Sequence, residues 1–163
     1  MPISAVGSST SMTNHEGEAL FSIVYVDDDP SGRQAFRDEI DQQDLENPVH
    51  YIETGEELIR RLESRELSPY PGVILVALHL PGMDGDELVR RIRQEHKHLD
   101  LSPVMLVVNE DEDEADARAR GLADGWIGKP FRFPVLLQLL RRKGRRFTLT
   151  IRDRGYEDRR GNV

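Results

Sequence analysis

Four places along this chain carry or frame side chains that could do chemistry. The run VYVDDDP sets three carboxylates, Asp27, Asp28 and Asp29, directly after an apolar stretch, and WIGKPF sets one ammonium, Lys129, before Pro130. Between them, VILVALHLPGMDG ends its apolar run at Ala77 and Leu78, and PVMLVVN ends at Val108 and Asn109. Carboxylates in one cleft repel, each like-charge contact within ~4 Å costing about 1–4 kcal/mol depending on effective dielectric. A single lysine can neutralise part of such a set. Ala77 offers a methyl group and no nucleophile, and Val108 has no hydrogen-bond donor. The chain contains no cysteine, which excludes disulfides, thiolate metal sites and a thiol nucleophile. His79, just past its strand, reads as a solvated loop histidine, and Asp29 as a helix N-cap or solvated acid.

The elements that must position these residues alternate. FSIVYV (Phe21–Val26), VHYI (Val49–Ile52), GVILVAL (Gly72–Leu78), PVMLVV (Pro103–Val108) and WIG (Trp126–Gly128) read as strands. The third is apolar on both faces, as a central parallel strand should be. Between them lie helical patterns. The first starts at Pro30 or Ser31 with Ala35, Phe36 and Ile40 inward; the second carries Leu58, Ile59 and Leu62; the third carries Leu88, Val89 and Ile92. EDEDEADARARGLADG is polar and alanine-rich, with Glu114–Arg118 and Asp116–Arg120 as i,i+4 pairs and Gly121 as a stop. RFPVLLQLLRRK reads as a last helix with Pro134 in its first turn. Five strands alternating with five helices specify an α/β fold, a parallel sheet covered on both faces. Ligands in such sheets bind outside the carboxyl ends of the strands, where the four places above fall.

The 163 residues suffice for one domain with extensions, and 32% charged with 37% apolar residues fits a soluble globular protein. Residues 1–20 are small and polar, read as a flexible lead and not as a signal peptide. A domain is expected over 21–143 and a basic extension over 144–163. The net charge of −8 is uneven: nine Lys/Arg against three acids from Arg141 onward give +6, leaving −14 for the rest. RRFTLTIRD alternates Phe147, Leu149 and Ile151 with polar residues, as a strand on a sheet edge would.

VYVDDDP, LPGMDG and GKPF, in this order across a five-fold βα pattern, resemble the receiver domains of two-component response regulators over roughly Ser22–Arg142. EHKHLDLSPV is more weakly similar to single-domain regulators that partner phytochrome-type kinases. The resemblance implies the flavodoxin-like sheet order 2-1-3-4-5. It implies that Asp27 and Asp28 match an acid pair that binds Mg²⁺, the second directly, and that Lys129 matches a lysine holding phosphoryl oxygens. Trp126 takes the switch-aromatic position, and Pro81, Gly82, Asp84 and Gly85 form the turn. It also places Ala77 where the family has a phosphoacceptor aspartate and Val108 where it has a Thr or Ser contacting the phosphoryl group.

An acyl phosphate needs a carboxylate nucleophile, so Ala77 cannot be phosphorylated. Two departures serving the same step read as natural, since a designed knock-out would leave the fourth strand alone. The expectation is a degenerate receiver, a non-enzymatic, cytoplasmic, phosphorylation-independent protein-interaction module. Its partner would be a histidine kinase or other signalling protein, or a second copy. The face expected is Asp111–Arg120, Trp126 and Arg132–Arg142, or the C-terminal extension. No cofactor is required and Mg²⁺ binds weakly at most. Two alternatives remain: a conventional phosphoryl-accepting regulator seen as an acceptor-less variant, and a nucleic-acid-associated regulator acting through the basic tail. No base-reading module is visible, so nucleic acid is not the expected partner, and no run is long enough to span a membrane.

Overall fold

The computed structural model describes residues 21–67, 71–99, 102–109 and 123–142. Five strands form one parallel sheet in the order β2-β1-β3-β4-β5. They are β1 (Ser22–Val26), β2 (Val49–Ile52), β3 (Pro71–Ala77), β4 (Val104–Val108) and β5 (Gly125–Gly128). Four α-helices accompany them among the described residues: α1 (Pro30–Asp41), α2 (Gly55–Glu63), α3 (Gly85–Glu95) and α4 (Phe133–Arg142). The helix expected in EDEDEADARARGLADG, the lead at 1–20 and the extension at 144–163 lie outside the described residues.

The sheet divides the core in two because successive strand residues face opposite sides. Val24, Val26, Ile74, Val76 and Leu106 meet Leu58, Leu62, Leu88 and Ile92 from α2 and α3. Ile23, Tyr25, Val73, Leu75, Met105 and Val107 meet Phe36, Ile40, Leu136 and Leu140 from α1 and α4. β3 is buried at every position, which follows from its place between β1 and β4 with helices on both faces. Ala35, expected inward, is exposed: at 100° per residue the buried stripe of α1 runs through Phe36 and Ile40, and Ala35 falls outside it.

Capping fixes where the helices begin. Asp29 precedes α1 and its carboxylate accepts from the Ser31 N–H at 3.0 Å, while Thr54 Oγ1 accepts from the Glu57 N–H at 3.1 Å ahead of α2. The Phe133 N–H at the start of α4 donates to Glu39 Oε2 of α1 at 2.9 Å, so α1 supplies a partner that α4 lacks internally. Arg93 near the end of α3 donates to the carbonyls of Leu99 and Ser102 and to Asp124 Oδ2 at 2.6 Å. Asp124 Oδ2 also accepts from the Val104 N–H, which ties the entry of β5 to the start of β4. No helix of the described residues is long and apolar enough to cross a membrane.

Candidate functional site

The carboxyl ends of β1, β3, β4 and β5 bring the acids, Ala77, Val108 and Lys129 to one edge of the sheet. Asp27 is the first residue past β1, where its N–H continues the ladder to the Ile52 carbonyl at 2.9 Å. Only 1% of it is exposed. A carboxylate taken that far out of water must be fully partnered, and both oxygens are engaged inside the protein. Oδ2 lies 3.0 Å from Lys129 Nζ and accepts the Tyr25 hydroxyl at 2.9 Å; Oδ1 accepts the Asp29 N–H at 3.1 Å. Arg33 donates to the Asp27 carbonyl at 2.7 Å and reaches toward Glu53. Asp28, by contrast, is exposed.

Lys129 follows β5, with its own N–H on the Val108 carbonyl at 2.8 Å and a cis peptide bond to Pro130. Val108 is buried in the same apolar cluster as Ala77, Leu78 and Leu106. Trp126, paired with Leu106 across β4 and β5, is half-buried and packs against that cluster. His79 is exposed. Gly82 has φ +78, the left-handed region that favours glycine. Asp84 stands at the N-cap of α3 without a side-chain capping bond. The Gly85 N–H instead donates to the Leu78 carbonyl at 2.7 Å, so the turn is held by backbone.

Tyr25 belongs to this site although the sequence pattern does not single it out. It lies two residues before Asp27, so both side chains leave the strand on the same face. Its ring stacks on Phe36 with centroids 4.1 Å apart and planes at 13°. Burial first, then the Asp27 charge and the hydrogen bond to it, push its phenol far above the ordinary range, so it stays a neutral donor. Gly32 was missed as well: a Cβ there would collide with Asp27 Oδ2 and lie 3.4 Å from Lys129 Nζ, so α1 closes tightly over the pair. A same-face tyrosine two residues before a strand-end acid is legible in VYVDDDP, although nothing in one sequence says that the hydroxyl turns toward the acid. Elsewhere, Glu63, Glu95 and His96 bring ligand-type atoms within 4.8 Å of one another, with Glu95 engaged by Arg91.

A doubly wound parallel sheet with a buried acid, a lysine and a glycine-marked turn at its carboxyl edge is a narrower class than α/β alone. The model of the response regulator receiver domain family matches residues 23–141, and the chain belongs to that family. The C4-dicarboxylate transport transcriptional regulatory protein DctD of Pseudomonas aeruginosa is 31% identical over 126 residues, 77% of this chain and 25% of that protein. The phosphate regulon transcriptional regulatory protein PhoB of Rhizobium meliloti is 33% identical over 121 residues, 72% of this chain and 49% of that protein. The chain thus spans between a quarter and a half of the length of these relatives. Among solved structures, the bacteriophytochrome response regulator AtBRR superposes with TM-score 0.71 at 24% identity, covering 80% of this chain and 96% of that one, a likeness of fold.

Proposed function

We propose that this chain is an atypical receiver that signals through protein contacts without aspartyl phosphorylation. The observation that carries the reading is Ala77, the last residue of β3, in the place where receivers resemble one another in having an acceptor aspartate. A methyl group cannot attack a phosphoryl centre. Val108, buried among apolar side chains at the end of β4, adds that no hydroxyl waits there for a phosphoryl oxygen.

The module is not an enzyme, requires no cofactor, works in the cytoplasm and docks a histidine kinase, another signalling protein or a second copy. Support for the docking face comes from β5 and α4. Trp126, Val135 and Leu139 line an open groove at this edge of the sheet, and Val135 is the exposed large hydrophobic side chain among the described residues. The deciding experiment is incubation of the full chain with acetyl phosphate and Mg²⁺, followed by intact-mass measurement. No acid-labile phosphoryl adduct is expected; a stoichiometric one overturns the reading.

A further inference from the structure

We infer that Tyr25 is a second lock on this pocket, beside the loss of the acid at position 77: its hydroxyl and Lys129 together hold Asp27 in an internal ion pair that excludes a divalent cation. The inference rests on reading Ala77 as the acceptor position.

The receiver family implies Mg²⁺ at this edge, so the residues present can be tested against it. Mg²⁺ demands near-octahedral oxygen ligands and gives up its waters reluctantly. With Asp28 as the direct ligand, Asp27 must accept from a metal-bound water. An ionised carboxylate has about four acceptor directions. Three are taken, by Lys129 Nζ, the Tyr25 hydroxyl and the Asp29 N–H. The close approach of Gly32 covers Oδ2 from the side of α1. An ammonium already balances the charge that a cation would balance. The one direction left open is on a carboxylate that already holds an ammonium, which repels a cation, so the residues present do not fit the metal.

Tyr25 makes this arrangement hard to undo. Lysine can swing away on its flexible stem, but the Tyr25 ring is buried in the apolar cluster and stacked flat on Phe36. Phe36 in turn touches Phe131, two residues past Lys129, with ring centroids 4.3 Å apart. The hydroxyl therefore points at Asp27 from a fixed place, and turning it elsewhere would leave it unsatisfied in an apolar interior. Tyr25 acts as a positioning residue: it orients the carboxylate, and the carboxylate orients Lys129. Restoring an acid at position 77 alone adds a carboxylate to a pocket whose other acid is still engaged.

The test uses four full-length proteins: wild type, Tyr25→Phe, Ala77→Asp and the double variant. Phenylalanine keeps the ring and its stack. The probe is Mn²⁺ alone, with free ion counted by electron paramagnetic resonance. The double variant should bind Mn²⁺ at least about tenfold more tightly than Ala77→Asp, and Tyr25→Phe should bind more tightly than wild type, the scale typical of residues that orient metal-site ligands. Equal affinity of Ala77→Asp and the double variant overturns the inference. If the double variant does not fold, the comparison of Tyr25→Phe with wild type decides alone, and equal affinity there overturns it too. A purely structural tyrosine would lower the melting temperature on Tyr25→Phe and leave Mn²⁺ affinity unchanged. Phosphoryl labelling of the wild type would sink the proposed function by a different measurement, so the two failures are separable.

Discussion

Lys129 Nζ lies 3.0 Å from Asp27 Oδ2, although the two residues follow strands separated by β3 and β4 in the sheet. The strands between them end in Ala77 and Val108, neither of which can partner an ammonium. The carboxylate is 2% exposed and the lysine 25%. Removing one member of a buried pair leaves an uncompensated charge and costs about 3–5 kcal/mol. Lys129→Met should cost somewhat less than that, since the lysine is partly solvated. Adding Asp27→Asn should recover much of the loss. Urea unfolding of wild type, Lys129→Met, Asp27→Asn and the double variant checks this, and full additivity of the two substitutions would argue against the pair.

Added Mg²⁺ should barely change stability. A ligand raises stability only as far as it binds the folded state, and the acid that would take part is occupied by Lys129 and Tyr25. Melting curves at increasing Mg²⁺ up to millimolar concentration should superimpose. A rise of several degrees would show that a metal site survives without an acid at position 77.

How far the sequence revealed this arrangement depends on which kind of signal each part carries. Strands such as β3 and helices such as α2 follow from the spacing of apolar residues, a local pattern: β3 falls one residue from the expected run, and Leu58, Ile59 and Leu62 of α2 are buried as expected. The gathering of Asp27, Ala77, Val108 and Lys129 at one edge follows from the parallel order, because every strand ends on the same side. Which partner each charge takes was less legible. FSIVYV reads as an apolar run, and nothing in that pattern says that the Tyr25 hydroxyl turns to Asp27. Arg93–Asp124 was invisible for a similar reason: its residues are 31 apart, and the pairing exists only because β5 starts beside the end of α3. The glycines separate in the same way. Gly82 is needed for its own dihedral, a local matter, whereas Gly32 and Gly85 are needed for what approaches them from elsewhere in the chain.

Gly85 supplies a direct test of how closely α3 is held to the end of β3. Its N–H bonds to the Leu78 carbonyl at 2.7 Å, and a Cβ at this position would collide with the Ala77 carbonyl oxygen. That oxygen is backbone and cannot swing aside. Gly85→Ala should destabilise by about 1–3 kcal/mol, the usual range for overpacking a tight contact, even though alanine is the better helix former. Gly82→Ala should also destabilise, through its positive φ, but its Cβ would meet only the Glu56 carboxylate at 3.5 Å. Chemical denaturation of both variants distinguishes collision from dihedral strain. A neutral Gly85→Ala would mean that the turn can lift off the strand.

Acid should weaken the fold partly through Glu57. Hydrogen bonds from Arg60 first and Arg61 second hold its carboxyl at about 2, down from an ordinary 4.5. Glu66, bonded to Ser64 and Arg60, and Asp29, bonded to Ser31, are lowered as well. A carboxyl whose folded value lies below its unfolded one binds fewer protons when folded, so its stabilisation is fully present above about pH 4.5. For Glu57 that stabilisation fades as the pH falls toward about 2. Glu57→Gln should flatten the decline of melting temperature across this window, because its modest loss of stability is largest at neutral pH and vanishes as the pH falls toward about 2. The effect should shrink in high salt, because Glu57 is only half-buried and its partner Arg60 is exposed, so the pair is screened. An unchanged acid limb in Glu57→Gln would assign the acid sensitivity to other carboxylates.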